Sequence, residues 1–146
     1  MEPLKVLKAV KFKVSLAQQR FKEAVLHKQW PVASSLLKRG EADIDYAYPP
    51  FGNTLFLELV ELYSLDLLDS DEAIKWLEQR GADINAVNNL GNNAAILAAF
   101  FNNQHILDLL KDLGVDFKRV NHDNLSGETL LRYKRSYKSH LLNKAR

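Results

Sequence analysis

Three aspartates recur in one setting along the chain, and repeated carboxylates are what acid–base or metal chemistry would need. Asp83 lies in "WLEQRGADIN" (76–85) and Asp116, 33 residues on, in "LLKDLGVDFK" (109–118). Asp43 lies in "LLKRGEADID" (36–45), with one extra residue between its Gly and its Asp. The groups that would complete such chemistry do not accompany them. The four histidines, His27, His105, His122 and His140, stand outside metal-ligand spacing of one another. The chain has no cysteine, which excludes a thiolate metal site, a thiol nucleophile and a disulfide framework. No Ser-His-Asp arrangement, paired-acid motif or Gly-rich phosphate loop stands out, and Gly91-Asn92-Asn93 is too short to count as one. The sequence therefore predicts a protein that is not an enzyme, with no catalytic residues, no metal and no cofactor.

Nucleic-acid binding is the next chemistry to weigh. Arg132, Lys134, Arg135, Lys138, Lys144 and Arg146, with Tyr133 and Tyr137 interleaved, form a basic C-terminal run. Phosphate contact needs several cations on one face, whereas on a helix these six spread around the axis. A solvated capping helix accounts for them, and nucleic acid is not the expected partner.

The net charge of +2 conceals segregation: residues 1–39 carry +7, residues 40–83 carry −9, residues 84–128 carry −2 and residues 129–146 carry +6. An acidic centre between basic ends speaks to partners and association rates rather than to fold. The opening "MEPLKVLKAVKFKV" interleaves four lysines with its apolar residues, so it lacks the apolar core of a signal peptide. No stretch approaches the roughly 18 apolar residues of a membrane span. A cytoplasmic protein without a membrane or small-molecule partner is expected. At 146 residues the chain has room for one domain that buries roughly two-thirds of its unfolded surface.

The elements that hold the aspartates follow from spacing. Ahead of each Gly, apolar residues recur every three or four positions: Ala73, Trp76 and Leu77 in one copy, Ile106, Leu109, Leu110 and Leu113 in the next. That is helical periodicity. Gly40, Gly81 and Gly114 then stand where a helix C-terminus takes a left-handed residue. After each Asp come turn formers, "YAYPPFGN" (46–53), "AVNNLGNN" (86–93) and "RVNHDNLSG" (119–127). Thr54, Asn93 and Thr129 are predicted to open the following helices, because their side chains accept from free backbone N–H groups. Residues 1–17 admit two readings. Leu4, Leu7, Val10 and Val14 suit an amphipathic helix, while Val10, Phe12, Val14 and Leu16 alternate as in a strand; helix is favoured.

With these residues in place, the chain resembles the ankyrin repeats. Gly-Ala-Asp-Ile-Asn-Ala at 81–86 is similar to that family's inter-repeat signature, and the interval from Asp83 to Asp116 is its period. The resemblance implies that Asp43, Asp83 and Asp116 serve turns. It also implies an all-α solenoid of about four stacked helix pairs with short turn or hairpin loops, in a single domain over 1–146. Its parts are an N-terminal capping segment (1–20), repeats at 21–45, 46–85 and 86–118, and a partial C-terminal capping repeat (119–146). The family's Thr-Pro-Leu-His opening survives only as Thr54-Leu55-Phe56-Leu57, Asn93-Ala94-Ala95-Ile96 and Thr129-Leu130-Leu131-Arg132. The second repeat is six residues longer than the third, and the surplus falls near "LYSLDLLDSDE" (62–72).

Such stacks bind proteins through turn tips and the first helix of each pair, so the resemblance places a partner-binding surface here. Its tip positions are Tyr46, Tyr48, Phe51, Asn88, Asn89, Leu90, His122, Asn124 and Leu125. Its helix positions are Glu58, Glu61, Leu62, Leu97, Phe100 and Phe101. Successive helical residues lie about 100° apart, so Phe100 and Phe101 cannot both enter the stack, and one is expected to face the groove. Aromatic anchors with satellite acids suit a protein partner with a basic surface. The expected role is to bind and block that partner, since a small chain without a second domain has nothing to deliver. An immunity protein or antitoxin that neutralises a toxin is one concrete form. The alternatives are a host-directed effector or adaptor, and a nucleic-acid-associated protein using the basic termini.

Overall fold

The computed structural model describes residues 14–144, except the side chains of 136–139. The helix expected over residues 1–17 lies outside the described residues up to position 13. Among the described residues there are seven helices: α1 (Leu16–Leu26), α2 (Trp30–Lys38), α3 (Leu55–Ser64), α4 (Glu72–Gln79), α5 (Ala94–Phe101), α6 (Gln104–Leu113) and α7 (Gly127–Lys144). They make three antiparallel pairs and a lone closing helix, so the all-α stack expected from the repeats is what forms. α1 starts inside the segment assigned to an N-terminal cap, and the first repeat reaches back to its cap residue Ser15. The surplus of the second repeat is the 65–71 linker between α3 and α4; only Asn102 and Asn103 join α5 to α6.

The second helix of each pair ends alike. Gly40, Gly81 and Gly114 have φ of 69°, 90° and 89°, and the next residue donates back five positions: Glu41 to Leu36 O, Ala82 to Leu77 O, Val115 to Leu110 O. These bonds satisfy carbonyls that the helix end leaves free. The aspartates then close the turns. Asp43, Asp83 and Asp116 accept through Oδ1 from the N–H two residues on, at 2.9, 3.0 and 2.8 Å. Neighbouring turns are stitched together: Asp45 Oδ1 accepts from Asp83 N at 2.7 Å, and Asn85 Oδ1 from Asp116 N at 2.9 Å. At the first turn Gln18 takes that role, accepting from Asp43 N and donating to Asp43 O, both at 2.9 Å. The repeated carboxylates are thus occupied by backbone.

Thr54 and Asn93 cap α3 and α5 as expected, accepting from Leu57 N and Ile96 N. Thr129 does not open α7. Ser126 does, with its hydroxyl accepting from Thr129 N at 3.1 Å, and Thr129 sits inside the first turn. Gly127-Glu128-Thr129 imitates Gly52-Asn53-Thr54, but the turn residue equivalent to Gly52 is Asn124, held at φ 61°. Gly127 instead lies where α7 meets α5, and a Cβ there would stand 2.9 Å from the Ala95 Cβ.

The core runs the length of the stack, from Phe21 and Val25 through Phe56, Leu59 and Ile74 to Ile96, Ile106 and Leu110, all fully buried or nearly so. Trp76 of α4 stacks on Trp30 of α2 at 5.0 Å and meets Phe21 of α1 at 6.4 Å, which fastens the first pair to the second. α5 is buried at Ala94, Ala95, Ala98 and Ala99, small residues that let α3 and α7 approach from both sides.

Candidate protein-binding face

The 48–53 tip is closed by Tyr48 N donating to Asn53 O and Gly52 N donating to Tyr48 O, both at 2.8 Å. This turn holds Phe51 out beside α3 with 69% of its surface exposed. Between the tip, α3 and Lys22 of α1 lies a half-open cavity of about 270 Å³, lined by Lys22, Tyr48, Pro49, Phe51, Asn53, Glu58, Glu61, Leu62 and Leu65. Its charges are unequally satisfied. Lys22 Nζ pairs with Glu58 Oε1 at 2.8 Å and lies 5.1 Å from the centre of the Tyr48 ring. Glu61 receives only a long bond from Asn53 Nδ2, at 3.4 Å, and has no ion-pair partner among the described residues. A cavity with aromatic and aliphatic walls and one unneutralised carboxylate suits a side chain with an apolar stem and a cationic head.

Tyr48 is a wall of this cavity rather than a free anchor. Only 8% exposed, its hydroxyl accepts from Gln18 Nε2 at 2.9 Å and donates to the Gln18 carbonyl at 3.3 Å. Burial pushes that hydroxyl's pKa up to about 12, against a smaller opposing effect of the Gln18 bond. Tyr46 packs edge-on against it at 4.9 Å.

Five of the fifteen predicted binding residues meet here: Tyr48, Phe51, Glu58, Glu61 and Leu62. Others serve the framework. Asn88 accepts from Leu90 N and Asn92 N and donates to Asn53 Oδ1, while Asn89 donates to Phe51 O and Pro50 O. Leu97 is buried, Leu125 is half-buried, and Asn124 supplies the left-handed turn. His122 donates from its backbone to Leu90 O and covers Gly91. Leu90 is exposed at its tip. Phe100 and Phe101 are 48% and 39% exposed, so neither fills the stack; the buried positions of α5 are taken by Ala94, Ala95, Ala98 and Ala99.

Lys22, Leu65 and Tyr133 belong to this face and were not among the predicted residues. Counting seven positions from each cap, Ser15, Thr54, Asn93 and Ser126 lead to Lys22, Glu61, Phe100 and Tyr133. Seven residues turn a helix by about 700°, so these four share a direction. Tyr133, 76% exposed, escapes notice when Thr129 is taken for the cap, because the count then starts three residues late.

The remaining titratable candidates are structural or solitary. His27 pairs with Glu23, and His105 with Asp71, each at 3.2 Å. His140 is exposed. Among the described residues no group of three or more His, Asp or Glu side chains could hold a metal ion, and no helix is long and apolar enough to cross a membrane. In the basic run, Arg132 pairs with Glu128 at 3.2 Å. Lys134 Nζ donates to the Ala99 and Phe100 carbonyls at the end of α5, where a cation complements the helix dipole, and burial lowers its pKa.

Comparison with known families agrees with this architecture. The model for ankyrin repeats in many copies matches residues 68–113, from the linker before α4 to the end of α6. No curated protein matches the chain in sequence. Ankyrin repeats are in general protein–protein interaction modules rather than enzymes. The matched segment is thus similar to ankyrin repeats, and the turn ladder and stacked helix pairs continue the same all-α architecture on either side of it.

Proposed function

We propose that this chain binds and blocks a partner protein through its concave face, with the cavity at the 48–53 tip receiving a basic side chain of the partner. The convergence of Phe51, Glu58, Glu61 and Leu62 around one half-open cavity supports the reading. Exposed Phe51, Leu90, Phe100 and Tyr133 extend the face with apolar and aromatic anchors. The −9 carried by residues 40–83 steers a basic surface toward it. The narrower form is a cytoplasmic immunity protein or antitoxin that covers a basic toxin surface. It rests on the charge distribution, and the identity of the neighbouring gene separates it from an effector or adaptor role.

The test compares wild type with Phe51→Ala and Glu61→Gln in pull-downs, followed by association and dissociation rates against salt for whatever species both variants lose. Phe51→Ala should weaken binding by about 2 kcal/mol, mainly through faster dissociation. Glu61→Gln should slow association at low salt, a difference that shrinks near 0.1 M because charges beyond about 10 Å are then screened. Equal retention of every species by both variants would mean that the cavity is not the binding site.

A further inference from the structure

We propose that the trough between α6 and α7 is a second docking surface, one that accepts an acidic amphipathic helix of a partner protein. α7 lies against α5 as α5 lies against α3, yet among the described residues no second helix sits beside α7 in the way α6 sits beside α5. The flank this leaves uncovered holds two adjoining hollows of about 320 and 190 Å³, which share Lys111, Leu131 and Arg135. Half-buried Phe117 and Leu131 form the floor. The rim is basic: its single carboxylate, Glu128, is taken by Arg132. Lys111, 5.7 Å from the centre of the Phe117 ring, and Arg135 have no ion-pair partner among the described residues.

Charge and shape select the occupant. An apolar floor flanked by two unpaired cations matches a helix with leucines on one face and carboxylates at its edge. From Glu128 to Arg135 the α7 side of the trough runs about 10 Å, two helical turns at 1.5 Å per residue. A nucleic acid would use the cations but not the floor. The opposite end of the stack, with Arg20 and Arg39 exposed, carries the same sign of charge, so head-to-tail stacking of two copies is opposed. The surface lies apart from the 48–53 cavity, and the proposal does not depend on the role of that cavity.

The test uses the full chain and a fluorescent helix-forming peptide of about 14 residues, roughly four turns, with leucines at i, i+3 and i+7 and glutamates beside them. A second peptide carries lysine at every glutamate. The acidic peptide should bind and the lysine peptide should not. Lys111→Glu and Arg135→Glu, both at exposed positions, should each weaken binding about tenfold or more while leaving the circular dichroism spectrum unchanged. Phe51→Ala, on the other face, should bind the peptide like the wild type. Absence of binding, equal binding of both peptides, or binding indifferent to Arg135→Glu overturns the proposal. Displacement of the peptide by a single-stranded oligonucleotide that binds more tightly would assign the trough to nucleic acid. Self-association of the chain that Arg135→Glu abolishes would assign it to a second copy. Either outcome likewise overturns the acidic helix.

Discussion

Alanine substitution at three of the left-handed glycines separates backbone strain from steric contact, because the sites differ in one respect. Gly81 and Gly114 have φ of 90° and 89° with nothing within 4 Å of an added Cβ, whereas Gly91, at φ 78°, would place its Cβ 2.8 Å from His122 Cδ2 and 3.1 Å from His122 N. At the first two sites the cost is the left-handed conformation alone, about 1–2 kcal/mol for a residue with a Cβ. The two values should agree closely, since the geometry is the same. Gly91→Ala carries that cost and also pushes back the neighbouring tip. The His122 ring can swing aside, but the crowded nitrogen is backbone and donates to Leu90 O at 3.1 Å, so weakening that bond adds a loss of up to about 1 kcal/mol net. Urea unfolding followed by circular dichroism gives the three values. His122→Ala in the Gly91→Ala background should restore only part of the loss, because it removes the ring and leaves the nitrogen. Wild-type stability in Gly81→Ala would refute the capping argument, and Gly91→Ala no worse than Gly81→Ala would refute the tip contact.

Trp76→Ala should cost about 3–5 kcal/mol, since it removes the ring that Trp30 stacks on and Phe21 meets. Thermal melting checks this, and an unaltered melting temperature would mean that α4 does not pack as described. Ser126→Ala should cost about 1 kcal/mol through the lost cap, while Thr129→Val should leave the cap in place. Melting curves in the reverse order would return the helix start to Thr129.

The repeats, the helix ends and the turn aspartates were legible in the sequence because each is a local event. A left-handed Gly answers a carbonyl five residues back, and an aspartate answers an N–H two residues on. Such short-range bonds leave a fixed spacing of residue types. The longer loop of the second repeat was legible for the same reason, as extra residues between two helical patterns. The start of α7 was misread although its signal was present: Asn93 follows Asp83 by ten residues, and Ser126 follows Asp116 by ten.

Which residues are exposed on the proposed binding face was decided by the tertiary structure. Tyr48 and Phe51 look alike as tip aromatics, yet Tyr48 is held inward by Gln18, 30 residues away in sequence, while Phe51 meets no such partner and stays exposed. Phe100 and Phe101 were expected to divide between stack and groove. The buried positions of α5 went to Ala94, Ala95, Ala98 and Ala99, and both rings stayed exposed. Lys134, one of a basic run by sequence, became a cap for α5 through carbonyls 34 and 35 residues earlier. Sequence periodicity sets which way a side chain points from its own helix, but burial depends on what another repeat brings to that spot, and a single chain's local pattern carries no record of that distance.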